Sequence, residues 1–329
     1  AAERMLRGLL TRAPNDGRVL RCLAACLRDL NRSNEALAIL ERAIAQPAGA
    51  AQALILKAGI LGADGRWADA EAAMDQSLAL QPGPSAQLFK IGFLLLYHGD
   101  LDGAAAMLAQ IPPQYLLDER GAMTASLVWL WRNEPDKALA ALKVLSADML
   151  TQGTRFQQIG VGPRAFFVGQ AQQFAGRPAA AQSEWRAALT YVNTKLAAKP
   201  NTVEMLYWRA YLLASLGDKV GATEALQVYQ QLQGANETRV DWNTAPVFVL
   251  LNRIEPVLAF FTTELKGRYA GRVIPILRYD PAFASIRDDP RVHALLAADA
   301  TAPAASKPDP KSVAVLPFAN LSGDPAQEY

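Results

Sequence analysis

The chain has 329 residues, of which 51% are hydrophobic and 19% are charged. This composition excludes a disordered chain, because there is enough apolar surface to form a buried core. The 33 basic and 31 acidic side chains leave a formal net charge of +2. We therefore expect no nucleic acid partner, since nucleic-acid-binding domains usually carry a clear basic excess. The longest strongly apolar run, residues 91–96, is far too short to span a bilayer.

Residue types that could carry catalysis or bind metal are scarce. The two cysteines, Cys22 and Cys26, are read as buried thiols that act as small hydrophobes. The two histidines, His98 and His293, are read as solvent-facing side chains. Residues 160–165 fit a loose dinucleotide-loop pattern, but no apolar strand precedes them. We therefore predict no catalytic, cofactor-binding or metal residues and no cofactor, and we do not expect an enzyme.

A turn motif recurs along the chain. It places glycine or asparagine five residues before a small or apolar residue. The pairs are Asn31 with Ala36, Gly65 with Ala70, Gly99 with Ala104, Asn133 with Ala138, Gly176 with Ala181, Gly217 with Ala222, and Asn252 with Val257. The first four are spaced by 34 residues, and the next two follow after 43 and 41, which indicates insertions in turns. Glycine and asparagine tolerate the left-handed conformation that ends many helices. The pattern predicts seven helix–turn–helix units.

Apolar residues around these turns follow helical spacing, as Leu20, Leu23, Leu27 and Leu40 illustrate. Helices of about 12 residues are unstable alone, so stacking must stabilise them. The chain resembles the tetratricopeptide-repeat family, whose unit has 34 residues. This resemblance implies an all-α fold, a right-handed superhelix (an α-solenoid), and a role in binding a protein or peptide partner.

The predicted domain organisation follows from these units. The repeat array is assigned to residues 1–265, and residues 266–298 are assigned to C-terminal capping helices. Within the array we assign a partial repeat to 1–16, repeats to 17–50, 51–84, 85–118, 119–152, 162–195 and 203–236, and a degenerate unit to 238–265. Because the array begins in the middle of a repeat, we expect the chain to be a fragment of a longer protein.

The C-terminal tail suggests a second domain. Residues 299–311 are rich in alanine and proline, which is typical of a linker, and residues 312–318 form an alternating apolar pattern that predicts a short β-strand. Residues 311–329 are similar to the opening of the TolB-amino-terminal-like α/β domain, here truncated. That domain usually precedes such repeats, whereas here it follows them. The resemblance implies the cytoplasmic or periplasmic part of a larger bacterial regulatory protein.

In tetratricopeptide repeats, positions 2, 5, 9 and 12 of each first helix line a concave groove. Laid on this sequence, that frame predicts a basic entrance followed by an apolar and aromatic floor. The predicted partner-binding residues are Arg18, Arg21, Arg28, Phe89, Phe93, Leu96, Met123, Leu127, Leu130, Phe166, Tyr207 and Tyr211. These residues either contact neighbouring or missing repeats, or they receive an amphipathic segment whose acidic residues meet the arginines.

Three functional hypotheses follow from the sequence. The first is a protein-interaction scaffold or sensor arm that binds a peptide or helix in the groove. The alternative is a regulatory or docking region of an enzyme, such as a protein kinase, adenylate cyclase or transferase, whose catalytic domain lies outside these residues. A structural protein of envelope assembly is the third. The sequence leaves the oligomeric state open.

Overall fold

A computed structural model describes residues 2–151, 161–236, 238–267 and 269–300, with side chains up to residue 297. Within these residues the chain is an all-α solenoid of successive helices. Its first half contains α1 (Ala2–Arg12), α2 (Gly17–Asp29), α3 (Ser33–Ile44), α4 (Ala50–Ala63), α5 (Trp67–Leu80), α6 (Pro84–Phe93), α7 (Leu101–Leu108), α8 (Glu119–Trp131) and α9 (Pro135–Lys143). Its second half contains α10 (Arg164–Phe174), α11 (Pro178–Ala198), α12 (Val203–Ser215), α13 (Lys219–Leu232), α14 (Ala245–Leu250), α15 (Ile254–Glu264), α16 (Ala270–Tyr279) and α17 (Pro290–Ala300).

Shorter elements connect these helices. A π-helical turn (Leu94–His98) extends α6, and 3₁₀ helices span Pro113–Leu116 and Pro281–Ile286. Two short strands, β1 (Met149–Leu150) and β2 (Gly162–Pro163), pair antiparallel between α9 and α10. The predicted strand at 312–318 and the linker beyond residue 300 lie outside the described residues.

The seven predicted turns are confirmed. Their positive φ angles run from 59° to 86°, and the residues are Asn31, Gly65, Gly99, Asn133, Gly176, Gly217 and Asn252. The small or apolar residue five positions later is completely buried in every unit, at Ala36, Ala70, Ala104, Ala138, Ala181, Ala222 and Val257. Sequence spacing therefore identified both the chain reversal and a fully buried position in the second helix of each unit.

The hydrogen bonds of the turns show why a left-handed residue ends each first helix. At Asn31, the N–H of Arg32 donates to the Leu27 carbonyl at 2.9 Å, which closes the helix end around the left-handed residue. Six of the seven turns have this five-residue bond. At Gly99 the N–H of Asp100 reaches back six residues, to Leu94, because the π turn adds one residue to the helix end.

The two predicted insertions differ from each other. The first does lie in a connection, since the β1–β2 pair sits between α9 and α10. The second was wrongly assigned to a turn. The extra residues lengthen α11, which has 21 residues, and only residues 199–202 separate α11 from α12. An alanine-rich second helix with no internal proline can be extended without breaking the stacking of its neighbours.

The C-terminal helices depart most from the expected cap. The two Asp-Pro helix starts are confirmed, because the side chain of Asp280 accepts from the Ala282 N–H and that of Asp289 from the Arg291 N–H, each at 2.9 Å. However, α16 does not simply stack on the end of the array. The hydroxyl of Tyr269, just before α16, donates to the Ala63 carbonyl at 3.4 Å, across 206 residues of sequence.

The contacts of α16 span three repeat units. Its C-terminal residue Tyr279 lies against Gly99, where a Cβ atom would come within 2.9 Å of the ring, and 6.1 Å from the Trp131 ring. Six successive residues of α16, Arg272–Leu277, are buried. A run of six buried residues must be covered on several sides, and α16 is covered by residues of three successive repeat units.

Candidate functional site

Half of the predicted groove residues line one cavity. We call it the groove cavity. It has a volume of about 1040 Å³ and lies between the first helices α8, α10 and α12 and the C-terminal segment 269–283. On the repeat side its wall contains Met123, Leu127, Leu130, Phe166, Tyr207 and Tyr211. The repeat positions therefore predicted that these six residues share one surface, and they do.

Helical geometry explains why they meet. Met123 and Leu127 are one turn apart on α8, as are Tyr207 and Tyr211 on α12, so each pair faces the same direction. The rings of Phe166 and Tyr211 are 4.5 Å apart between centroids and join the walls of α10 and α12. Burial raises the pKa of Tyr207 and of Tyr211 well above the ordinary value, so both phenols stay neutral.

The glycine-rich stretch at 160–165 has a packing role at its one described glycine. Gly162 has φ of 152°, and a Cβ atom there would overlap the Trp208 ring. The glycine therefore admits Trp208 into the core beneath the groove cavity. Residue 160 lies outside the described residues.

Three predicted residues differ from the expected open groove. Phe89, Phe93 and Leu96 are 4%, 1% and 0% exposed. Phe89 and Phe93 share a buried cluster with Leu54 and Ile55 of α4, so they pack against the preceding repeat. Of the two alternatives, contact with a neighbouring repeat describes these residues, and in this structure they present no surface to a partner.

The three predicted arginines lie in different environments. Arg18 is exposed at the start of α2. Arg21 donates to the Gly49 carbonyl at 3.4 Å, and Arg28 forms an ion pair with Asp29 at 2.8 Å. An exposed pair contributes little free energy, so Arg28 can exchange partners readily. Among the residues that the structure describes, Arg18 is the one of these three arginines whose side chain has no hydrogen bond or ion pair.

Arg272 of α16, a charged residue that lines the groove cavity, was not predicted from the sequence. This side chain is 4% exposed and lies over two rings, 4.3 Å from the Trp242 centroid and 5.2 Å from that of Tyr269. Burial lowers the pKa of Arg272 to about 10, which still leaves it charged at neutral pH. The sequence did contain a signal for Arg272. The arginine directly precedes the apolar run 273–277, and a charged residue in a buried helix is buried with it.

Asp280 lies at the other end of α16 and also lines the groove cavity. Burial raises the pKa of this carboxyl group to about 6, while its hydrogen bond from Ala282 and the nearby Arg287 oppose the shift. Eight residues of helix separate it from Arg272, which corresponds to about 12 Å. The cavity therefore has a cationic end and a weakly acidic end.

The remaining titratable candidates lie outside the cavity. His98 is half-exposed, as expected, and its Nε2 lies 2.9 Å from Oε2 of Glu71. Cys22 is exposed and Cys26 is half-buried, so the expectation of two buried thiols was wrong. The reason is that α2 turns Leu23 and Leu27, and not the cysteines, toward α3 and α4.

In the part of the chain that the structure describes, no group of three or more His, Cys, Asp or Glu side chains is placed to hold a metal ion. Among the same residues, no helix combines the length and the apolar character needed to cross a bilayer.

Comparison with known proteins gives likenesses of fold only. No protein-family model matches the sequence, and no curated protein matches it either. The crystal structure of the APC/C hetero-tetramer Cut9–Hcn1 is similar, with 14% identity and a TM-score of 0.47; the match covers 90% of this chain and 58% of that one. The crystal structure of the P58(IPK) TPR domain shares 14% identity with a TM-score of 0.24, over 90% of this chain and 91% of that domain.

Proposed function

We propose that the chain is a protein-interaction scaffold whose concave groove binds an amphipathic helix. The proposal rests on the position of α16, which packs against the repeats. The repeats hold a helix from the same chain, since α16 packs on the π turn that follows α6 and its flanking tyrosines contact Trp67 and Trp131, while α8, α10 and α12 face it across the groove cavity. A surface that buries one helix has the shape and the apolar chemistry to receive another of similar character.

In this proposal α16 occupies the groove in cis, and a partner helix competes with it. The aromatic ring contacts at its two ends, Tyr269 with Trp67 at 5.9 Å and Tyr279 with Trp131 at 6.1 Å, hold α16 along the groove. Such a partner would present an apolar face to the groove, as α16 does with residues 273–277. Because the occupant is tethered, its effective concentration is high, so the partner must bind tightly or α16 must first be released.

A peptide experiment tests the proposal. The Leu277→Asp substitution places a charge at a fully buried position of α16 and should expel that helix. A fluorescein-labelled peptide of residues 269–287 should then bind the variant, and it should bind the unsubstituted protein far more weakly. The readout is fluorescence anisotropy, with circular dichroism to verify that the repeat helices remain.

Two controls make the result specific. Arg278→Asp changes an exposed residue of the same helix and should leave the groove closed to the peptide. A peptide that itself contains Leu277→Asp should not bind either protein. If the unsubstituted peptide fails to bind a Leu277→Asp protein with intact helical content, the helix-binding groove is refuted.

The wider role, a sensor arm of a larger bacterial regulatory protein, is part of the same proposal and is supported by the resemblance of residues 311–329 to a TolB-amino-terminal-like domain. The coding sequence on both sides of this chain is the direct test. A continuation into the remainder of such a domain would support the regulator, whereas a stop codon directly after Tyr329 would contradict it.

A further inference from the structure

The groove cavity persists with α16 in place. Its volume of about 1040 Å³ is that of a site for a small organic molecule. Apolar and aromatic side chains form most of the wall, with α8, α10 and α12 on one side and α16 on the other. Docking of α16 therefore converts an open groove into a partly enclosed chamber.

One cationic side chain of this chamber, Arg272, has no anionic partner within hydrogen-bond distance among the described residues. Arg272 has no hydrogen-bond acceptor and no ion-pair partner among the residues that the structure describes, and its Nε is buried without a hydrogen bond. Glu264, which precedes Arg272 by eight residues, accepts instead from Nε1 of Trp242 at 3.2 Å. The ring faces of Trp242 and Tyr269 and the more distant charge of Glu264 stabilise the guanidinium, but the rings accept no hydrogen bond from its donors.

A second donor on the chamber wall has the same property. Trp131 of α8 lines the cavity and is 4% exposed, and its indole N–H has no acceptor in the described structure. Buried donors are normally paired, and those that are not require an explanation. Two unpaired donors around one cavity indicate a missing acceptor.

We infer that the groove cavity binds a small organic anion with an aromatic or apolar body. Arg272 binds the carboxylate or phosphate group with its planar fork of donors, and the aromatic side chains of α10 and α12 contact the body. Asp280 and Glu204 also line the cavity, so a second anionic group on the ligand is excluded from their end.

Such a ligand would connect the two parts of the molecule. Its anionic group is held by α16, while its body contacts first helices of the repeats. Binding would therefore stabilise the docked position of α16 by mass action. The site rests on observations other than those behind the proposed helix-binding function, and a ligand that stabilises docked α16 would oppose binding of a partner helix.

The test uses three matched probes with the full chain: 2-naphthoate, 2-naphthyl phosphate and the neutral 2-naphthamide. Isothermal titration calorimetry and thermal unfolding should show that at least one anion binds and raises the unfolding temperature, while the amide binds about tenfold to a hundredfold more weakly. The two anions distinguish a carboxylate from a phosphate ligand. Equal affinity for the acid and the amide, or binding of none of the probes, would overturn the inference.

Variants locate the site. Arg272→Met keeps length and apolar contact but removes the charge, and it should abolish the preference for the anions over the amide. Arg278→Met, an exposed arginine on the same helix, should bind all probes as the unsubstituted protein does. If Arg272→Met does not fold, Leu127→Trp decides, because it fills the cavity from the opposite wall and should block the anions. Unchanged anion binding in either variant contradicts the assignment.

Discussion

The N-terminal repeats and helix α16 bury their apolar residues in different ways. In α2 the buried residues are Leu20, Leu23, Ala24 and Leu27, on one side of the helix, and they meet the next helices along the chain. In α16 the buried residues are six in a row, and contacts at the two ends of the helix reach Ala63 and Trp131, in repeats far earlier in the chain. The first arrangement is built from local contacts and the second from a long-range one.

This difference has a consequence for stability. An array of nearest-neighbour contacts has a stability close to the sum of its units and their interfaces. A helix that touches three units at once adds contacts that no single unit supplies. We therefore expect α16 to couple the central repeats to the C-terminal segment, and the following predictions test that coupling.

The largest effect should come from the interface between repeats. Phe93→Ala removes a ring that is 1% exposed and contacts Phe89 and Tyr97, and it should lower the free energy of unfolding by about 3–5 kcal/mol. Chemical denaturation followed by circular dichroism measures this. Tyr115→Ala, at a residue that is 47% exposed, is the control and should change it by no more than about 0.5 kcal/mol.

The next prediction compares two fully buried leucines. Leu40→Ala and Leu277→Ala should each cost roughly 2–5 kcal/mol. The location of the loss should differ. Hydrogen exchange should show that Leu277→Ala exposes α16 and the π turn at 94–98 while α2 to α5 stay protected. Leu40→Ala should weaken α2 to α4. Uniform loss of protection in both variants would break the distinction.

A smaller effect is expected at the turns. Asn133→Ala forces a residue with a Cβ atom and no side-chain amide to adopt φ of 59°, and should cost about 1–2 kcal/mol. Asn133→Gly should cost nothing at this position. Asn15→Ala, where φ is not positive, is the matched control. Thermal unfolding of the three variants measures the order, and equal losses for alanine and glycine would refute the role of the left-handed turn.

The smallest effect is the pH dependence of the His98–Glu71 pair. Glu71 raises the pKa of His98 above 6.5, so its stabilisation is present below that pH and is lost as pH rises through the folded-state pKa. The hydrogen bonds from His98 and Lys90 lower the pKa of Glu71 to about 2, so its contribution is present above pH 4.5 and is lost toward pH 2. The pair therefore stabilises the folded state most between pH 4.5 and pH 6.5.

The measurement is the difference in unfolding free energy between the unsubstituted protein and His98→Gln. It should be largest near about pH 5.5 and shrink toward about pH 8.5. Because the imidazole is half-exposed, solvent screening keeps the difference small. A difference that grows with pH would contradict the assigned sign.

Sequence reasoning recovered features that depend on local chemistry. The turn at Asn133 and the buried Ala138 follow from the left-handed conformation and from the small volume at a helix crossing, and both are visible as residue types. The grouping of Met123, Phe166 and Tyr211 followed from repeat register, because identical positions of successive units face the same side. The extended α11 was missed, since spacing alone cannot distinguish a longer helix from a longer turn.

The amino-acid sequence by itself determined most of the helices, their seven left-handed turns and the shared face of α8, α10 and α12, because these depend on residues within about 34 positions of one another. Only the tertiary structure decided which residues pack against α16. Tyr269, at the start of α16, bonds to Ala63 across 206 positions of sequence, and Tyr279, at its end, packs against Trp131; no local periodicity encodes such contacts.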